Sequence, residues 1–140
     1  MFIRKIVTSL ALVAATAAPA LAHATPNAGP PCILRDHTVV SVTPYKEDVR
    51  FGRNVYPQLR GAQVYIQAEP GLTAEWLQLT LQRHLAEMKG PAAMPDCAFD
   101  LDNVRVDVLP SGAGFWVRLI APDTKTGEEV LRRAQLLASR

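Results

Sequence analysis

The residues of this 140-residue chain that could do chemistry fall into two groups. The first is His84 and Met88, four residues apart, followed by Met94 and Cys97. On a helix, side chains four apart stand one above the other, so an imidazole and a thioether so placed can reach one ion. Histidine and methionine donors suit copper. On a helical wheel His84 and Met88 fall on the same side as Leu77, Leu81 and Leu85, which is the apolar stripe. Two readings of His84 stand side by side. One is a core-edge histidine satisfied by a hydrogen bond. The other is a copper site made of His84, Met88 and Met94. No other cofactor is expected.

The second group is a strand surface. Val64, Ile66, Val104, Val106, Val108, Phe115, Val117 and Leu119 alternate with a second set that includes Tyr65, Arg105, Trp116, Arg118 and Ile120. Strand side chains point alternately to opposite faces, so the second set shares the face away from the core. Aromatic rings and guanidinium groups there can bind a partner by stacking and charge-assisted hydrogen bonds. The competing expectation is that the N-terminal segment folds across this face and buries Trp116 and Ile120.

Other chemistry has weaker signals. No G-x-S-x-G, H-E-x-x-H, Walker or G-x-G-x-x-G pattern occurs. Asp96, Asp100 and Asp102 cluster before Val104, in a spacing that fits no calcium loop and reads as a solvated acidic loop. A hydrolase or redox enzyme therefore ranks last of three function classes. A non-enzymatic binding or envelope-associated protein ranks first, its partner an envelope protein or small ligand held on the open sheet face. A copper-handling accessory using His84 and Met88 ranks between them.

The elements that must position these residues begin after residue 24. Arg4 and Lys5 precede an apolar run from Ile6 to Ala18, and small residues follow at Ala20, Ala22 and Ala24. That is the pattern of a cleaved secretory peptide, so a periplasmic or secreted product is expected, with no membrane-spanning segment after cleavage. The whole chain holds 15 Lys+Arg against 13 Asp+Glu, and both Arg4 and Lys5 leave with the signal. The remainder is formally neutral, which argues against nucleic acid as a partner. In an oxidising compartment Cys32 and Cys97 are expected to pair, since they lack the C-x-x-C spacing of a redox centre.

Residues 25–36 are Pro/Gly-rich at their start and read as a flexible spacer, leaving 37–140 as one domain. Residues 37–43 have strand composition, and 44–61, with two prolines, two glycines and many charges, read as an irregular connection. Ala62 to Ala68 alternates as a half-buried strand. A helix follows from a Thr73 cap to a stop at Gly90-Pro91. Residues 104–120 read as a hairpin. Asp123, Thr124 or Thr126 can cap a last helix, the third through a Thr126–Glu129 capping box. The expected fold is α+β: a small open sandwich with two helices on one face of a mainly antiparallel sheet of three or four strands.

Two resemblances accompany this reading. The stretch AEPGLTAEWLQLTLQRHLAEM, with MPDC and EVLRRAQLL, resembles uncharacterised exported proteins of proteobacteria, which implies export and no particular activity. The helix–hairpin–helix order of residues 73–138 is similar to the BON domain of periplasmic proteins, which implies association with the membrane or envelope.

Overall fold

A long hairpin organises the sheet. In the computed structural model, which describes residues 32–89, Met94 and residues 96–139, β1 (Val39–Phe51) turns through Gly52 and Arg53 into β2 (Asn54–Gln67). Gly52 sits at φ 62°, a left-handed conformation that suits the first position of a two-residue hairpin turn. Then come α1 (Ala74–Glu87), β3 (Arg105–Ser111), β4 (Gly114–Ile120) and α2 (Thr124–Ala138). The four strands form one antiparallel sheet in the order β1-β2-β4-β3. This is the expected α+β architecture, with Val39 to Val42 opening the fourth strand.

Both helices contribute to one core on one face. Leu77 and Leu81 of α1, with Met88 at its C-cap, join Val130, Ala134 and Leu137 of α2 against Val64, Ile66, Val106, Val117 and Leu119. Burying such side chains removes roughly 1.5–3 kcal/mol of unfavourable hydration apiece. α2 packs on β1 and β2, and α1 packs on β3. The Gln78 side chain of α1 also closes the outer edge of β3. Its Nε2 donates to the Val106 carbonyl at 2.8 Å, and its Oε1 accepts from the Val108 N–H at 2.6 Å. A side-chain amide here supplies the bonds a neighbouring strand would make.

Caps start both helices. The Thr73 hydroxyl accepts from the Trp76 N–H at 3.2 Å, and Asp123 accepts from Thr126 at 2.8 Å. Asp123 therefore caps α2, one turn before the alternative capping box at Thr126, and these bonds hold its carboxyl below the usual range. Further along, Glu129 takes both Arg132 and Arg133, each at 2.6 Å, and the two guanidinium donors bring its carboxyl down to about 2.

Two expectations are corrected. Residues 44–61 are regular strand, not an irregular connection. Beyond Gly61, β2 has no β4 alongside, so Lys46 to Leu59 project as a two-stranded arm wet on both faces. An arm of that kind has no reason to alternate apolar and polar residues. Its prolines are tolerated because Pro44 lies on the edge strand and Pro57 lies where β2 has a neighbour on one side only. The spacer also ends earlier than expected. Cys32 and Leu34 are buried, and Ile33–Asp36 form a 3-10 turn inside the fold. One apolar side chain in a short polar run suffices to seat the turn. Residues 1–31, with the signal and the rest of the spacer, lie outside the described residues.

The arm leaves the sheet through a bulge. Tyr45 faces Gly61 and Lys46 faces Leu59, so Arg60 is an extra residue on β2. Gly61 has φ 142°, and a methyl group on it would fall inside the Leu119 carbonyl. Gly61→Ala should therefore destabilise the fold by about 3 kcal/mol or more, from backbone strain plus overpacking. Urea denaturation checks this, with Gly71→Ala, at an open turn, as the milder comparison.

Candidate functional site

The sheet face away from the helices carries three cross-strand rows. Tyr45, Gly61, Ile120 and Arg105 form the first, and Thr43, Gln63, Arg118 and Asp107 the second. Ser41, Tyr65, Trp116 and Leu109 form the third. Register thus brings Tyr65, Arg105, Trp116 and Arg118 onto one surface, as alternation predicts.

The side chains on it are held in place. The Tyr65 and Trp116 rings lie 4.8 Å apart at 53°, within the range of favourable aromatic pairs. The Tyr65 hydroxyl donates to the Ser111 carbonyl at 3.1 Å. Gly114 makes room for that ring, because a Cβ there would come within 2.8 Å of the Tyr65 hydroxyl. The Arg118 guanidinium lies 5.4 Å from the centre of the Tyr45 ring, in cation–π range. Among the described residues Arg118 has no carboxylate within salt-bridge distance, and its buried Nε has no hydrogen-bond partner. The Tyr45 hydroxyl donates to Glu47 at 3.3 Å, and burial, then the Glu47 charge, raise its pKa.

The N-terminal turn does not cross this face in the described residues. Leu34 joins the core on the helix side, and Cys32 reaches Cys97 there. Trp116 and Arg118 stay half-buried, while Ile120 is buried.

Tyr45 escaped the sequence reading because Pro44 hides a period of two running through Ser41, Thr43, Tyr45 and Glu47. The same period carries the surface onto the arm, through Val49 and Phe51 opposite Tyr56 and Asn54. Phe51 is 60% and Tyr56 50% exposed, and their rings lie 6.3 Å apart. Glu47 and Gln58 lie on this same side, so no apolar alternation marks Phe51 and Tyr56 in the sequence.

The other candidate group gathers on the helix side. His84 is buried on the α1 stripe, edge-on to Phe99 with ring centres 5.6 Å apart. Its Nε2 lies 3.7 Å from the Cys97 Sγ. Burial lowers the His84 pKa, opposed by the Glu87 charge. Cys32 and Cys97 are paired at disulfide distance, with Cα atoms 5.3 Å apart across 65 residues of sequence. Met88 and Met94 are both buried in the same core. Of the acidic loop, Asp100 has a structural task, accepting the Met94 N–H at 2.8 Å. No helix among the described residues is long and apolar enough to cross a membrane.

Comparison of the chain with protein-family models, curated proteins and solved structures gave no match.

Half-buried side chains should tolerate truncation unevenly. Trp116→Ala removes the Tyr65 pair and part of a buried ring, for an expected loss of about 1–2 kcal/mol. Arg118→Ala, with no ion pair to break, should stay within about 0.5 kcal/mol. Thermal and denaturant unfolding check both. A Trp116→Ala loss near 4 kcal/mol would mean that the ring is fully covered in solution.

Proposed function

We propose that this chain is an exported, non-enzymatic binding protein of the cell envelope that docks a partner on the helix-free sheet face. The observation that carries the reading is the Tyr45–Arg118 and Tyr65–Trp116 surface, half-exposed and continuous with the apolar side of the arm. Aromatic and arginine side chains are the types that anchor protein interfaces: the rings bring large area on two χ angles, and the guanidinium a planar set of donors. Among the described residues no carboxylate, cross-strand Asp107 included, lies within salt-bridge distance of Arg118, so an acidic group on the partner would meet a guanidinium already oriented by Tyr45. The signal-like residues 1–24 and the Cys32–Cys97 pair support export. The similarity to the BON domain points toward the envelope as well.

A photo-crosslinking residue tests the reading in living cells. Placed at Trp116, it should give a discrete adduct in the envelope fraction, weakened at least tenfold by Arg118→Glu. Placed at exposed Leu79, on the outer side of α1, it should give none. Equal yields at both positions, or no adduct at Trp116, would refute docking on this face.

A further inference from the structure

The disulfide and His84 together have the layout of a metal site whose ligands are locked. Cys32, His84 and Cys97 are each more than nine-tenths buried, and their donor atoms all lie within 4.8 Å of one another. Three separate pieces of the fold deliver them: the residue before the 3-10 turn, the third turn of α1, and the loop that leads to β3. This cluster is independent of the sheet face and shares no residue with it.

The donors do not depend on the S–S bond for their positions. Leu34, fully buried two residues on, seats the Cys32 side. His84 belongs to a capped helix whose Leu77 and Leu81 are buried. The Cys97 N–H donates to the Met94 carbonyl at 2.8 Å, and its own carbonyl accepts from Arg133 at 3.2 Å and from Asp100 N–H at 3.1 Å. The same Arg133 is fixed from behind by Glu129. Each donor is therefore anchored by bonds that reduction would leave intact.

The spacing fits a thiophilic ion. With metal–sulfur bonds of about 2.3 Å and metal–nitrogen bonds of about 2.0–2.1 Å, neighbouring donors of a tetrahedral site stand roughly 3.5–3.8 Å apart. His84 Nε2 and Cys97 Sγ are at 3.7 Å already. The two sulfurs must separate, each by a little under about 1 Å, and Cys32 Sγ, within 4.8 Å of the His84 donor nitrogen, must settle at the same spacing from it; small rotations about Cα–Cβ supply both. The charge also balances. Two thiolates and a neutral imidazole around a divalent cation make a neutral group, whereas a monovalent ion would leave a net charge buried.

We propose that reduction of Cys32–Cys97 converts this structural link into a two-thiolate, one-imidazole site for Zn²⁺, with His84 as the nitrogen ligand. The donor set thus differs from the copper set of His84, Met88 and Met94 suggested by helical spacing. The reductant is a dithiol. One of its thiolates attacks a cysteine sulfur, and the second resolves the mixed disulfide. Two electrons pass to the chain, which gains two thiols, while the dithiol leaves as its own disulfide. Zn²⁺ then displaces the two thiol protons to solvent.

The test uses mature protein reduced with dithiothreitol and desalted without oxygen. Co²⁺ is the spectroscopic probe, and Zn²⁺ the competitor. The reduced protein should keep its far-UV circular dichroism and take up one Co²⁺ with thiolate-to-cobalt absorption. One Zn²⁺ should displace it, and metal uptake should release two protons. Oxidised protein should bind neither ion. His84→Ala should weaken reduced-state binding at least tenfold with its circular dichroism unchanged. The proposal is overturned if the folded, reduced protein takes up no Co²⁺, or if reduction unfolds it. It is equally overturned if His84→Ala binds as tightly as the parent, since two thiols alone would then explain the uptake. Tight binding of Cu⁺ with no uptake of Zn²⁺ would overturn the divalent assignment.

Discussion

The backbone of β2 at Arg60 and Gly61 is the constraint on which the rest of the molecule depends. There the bulge inserts an extra residue opposite Tyr45, and there β4 begins to pair. The Arg60 carbonyl accepts the Ala121 N–H at 2.7 Å, and its guanidinium reaches the Pro122 carbonyl, which fixes the path from β4 into α2. Helix α2 then comes so close that a Cβ on Gly127 would lie 3.0 Å from the Arg60 and Gly61 backbone. Two glycines therefore let strand, strand and helix meet at one point. The helix is held to one face, the other carries no helix among the described residues, and the arm beyond the bulge is left without a β4 neighbour.

That division assigns different physics to the two sides. The helix side is closed by apolar packing, the Cys32–Cys97 link and the Glu129–Arg133 clamp on the loop carbonyls. Linking residues 65 apart restricts the unfolded chain by about 4 kcal/mol in the chain-entropy picture, a large share of the stability of a domain this small. The sheet side carries its aromatic and arginine side chains on a rigid support. Tyr65 is tied to Ser111 and lies tilted against Trp116, so docking of the kind proposed would have little ordering entropy left to lose.

Much of this was legible in the residues. The alternation of Val64 and Ile66, the Thr73 cap, the wheel position of His84 and the Phe115–Leu119 period all report local geometry, and local geometry is what a pattern records. Alternation also placed Tyr65, Arg105, Trp116 and Arg118 on one face, because register only has to preserve parity. What stayed hidden has two causes. The arm is wet on both faces, so Lys46 to Leu59 lack the apolar period that marks a strand, and Pro44 and Pro57 argue against one. The bulge at Arg60 then reverses parity along β2, separating Tyr56 from the Tyr65 surface it joins. The neighbourhood of His84 was hidden for another reason. Its distance to Cys97 is set by the docking of a loop onto α1 and α2, and helical spacing points instead to Met88, one turn along the same stripe.

The openness of the sheet face is the claim on which the functional reading turns, and the Trp116 indole reports it directly. Solvent paramagnetic relaxation from a neutral gadolinium chelate can be measured on Trp116 and Trp76 in the purified protein. Trp76 is exposed on α1 and gives the upper reference; the fully buried core amides of Val64 and Val117 give the lower. A face left open by the rest of the chain predicts a Trp116 enhancement between these limits, falling to the core value when partner is bound. An enhancement already at the core value in the free protein would mean that residues preceding Cys32 lie across the face, and would contradict it.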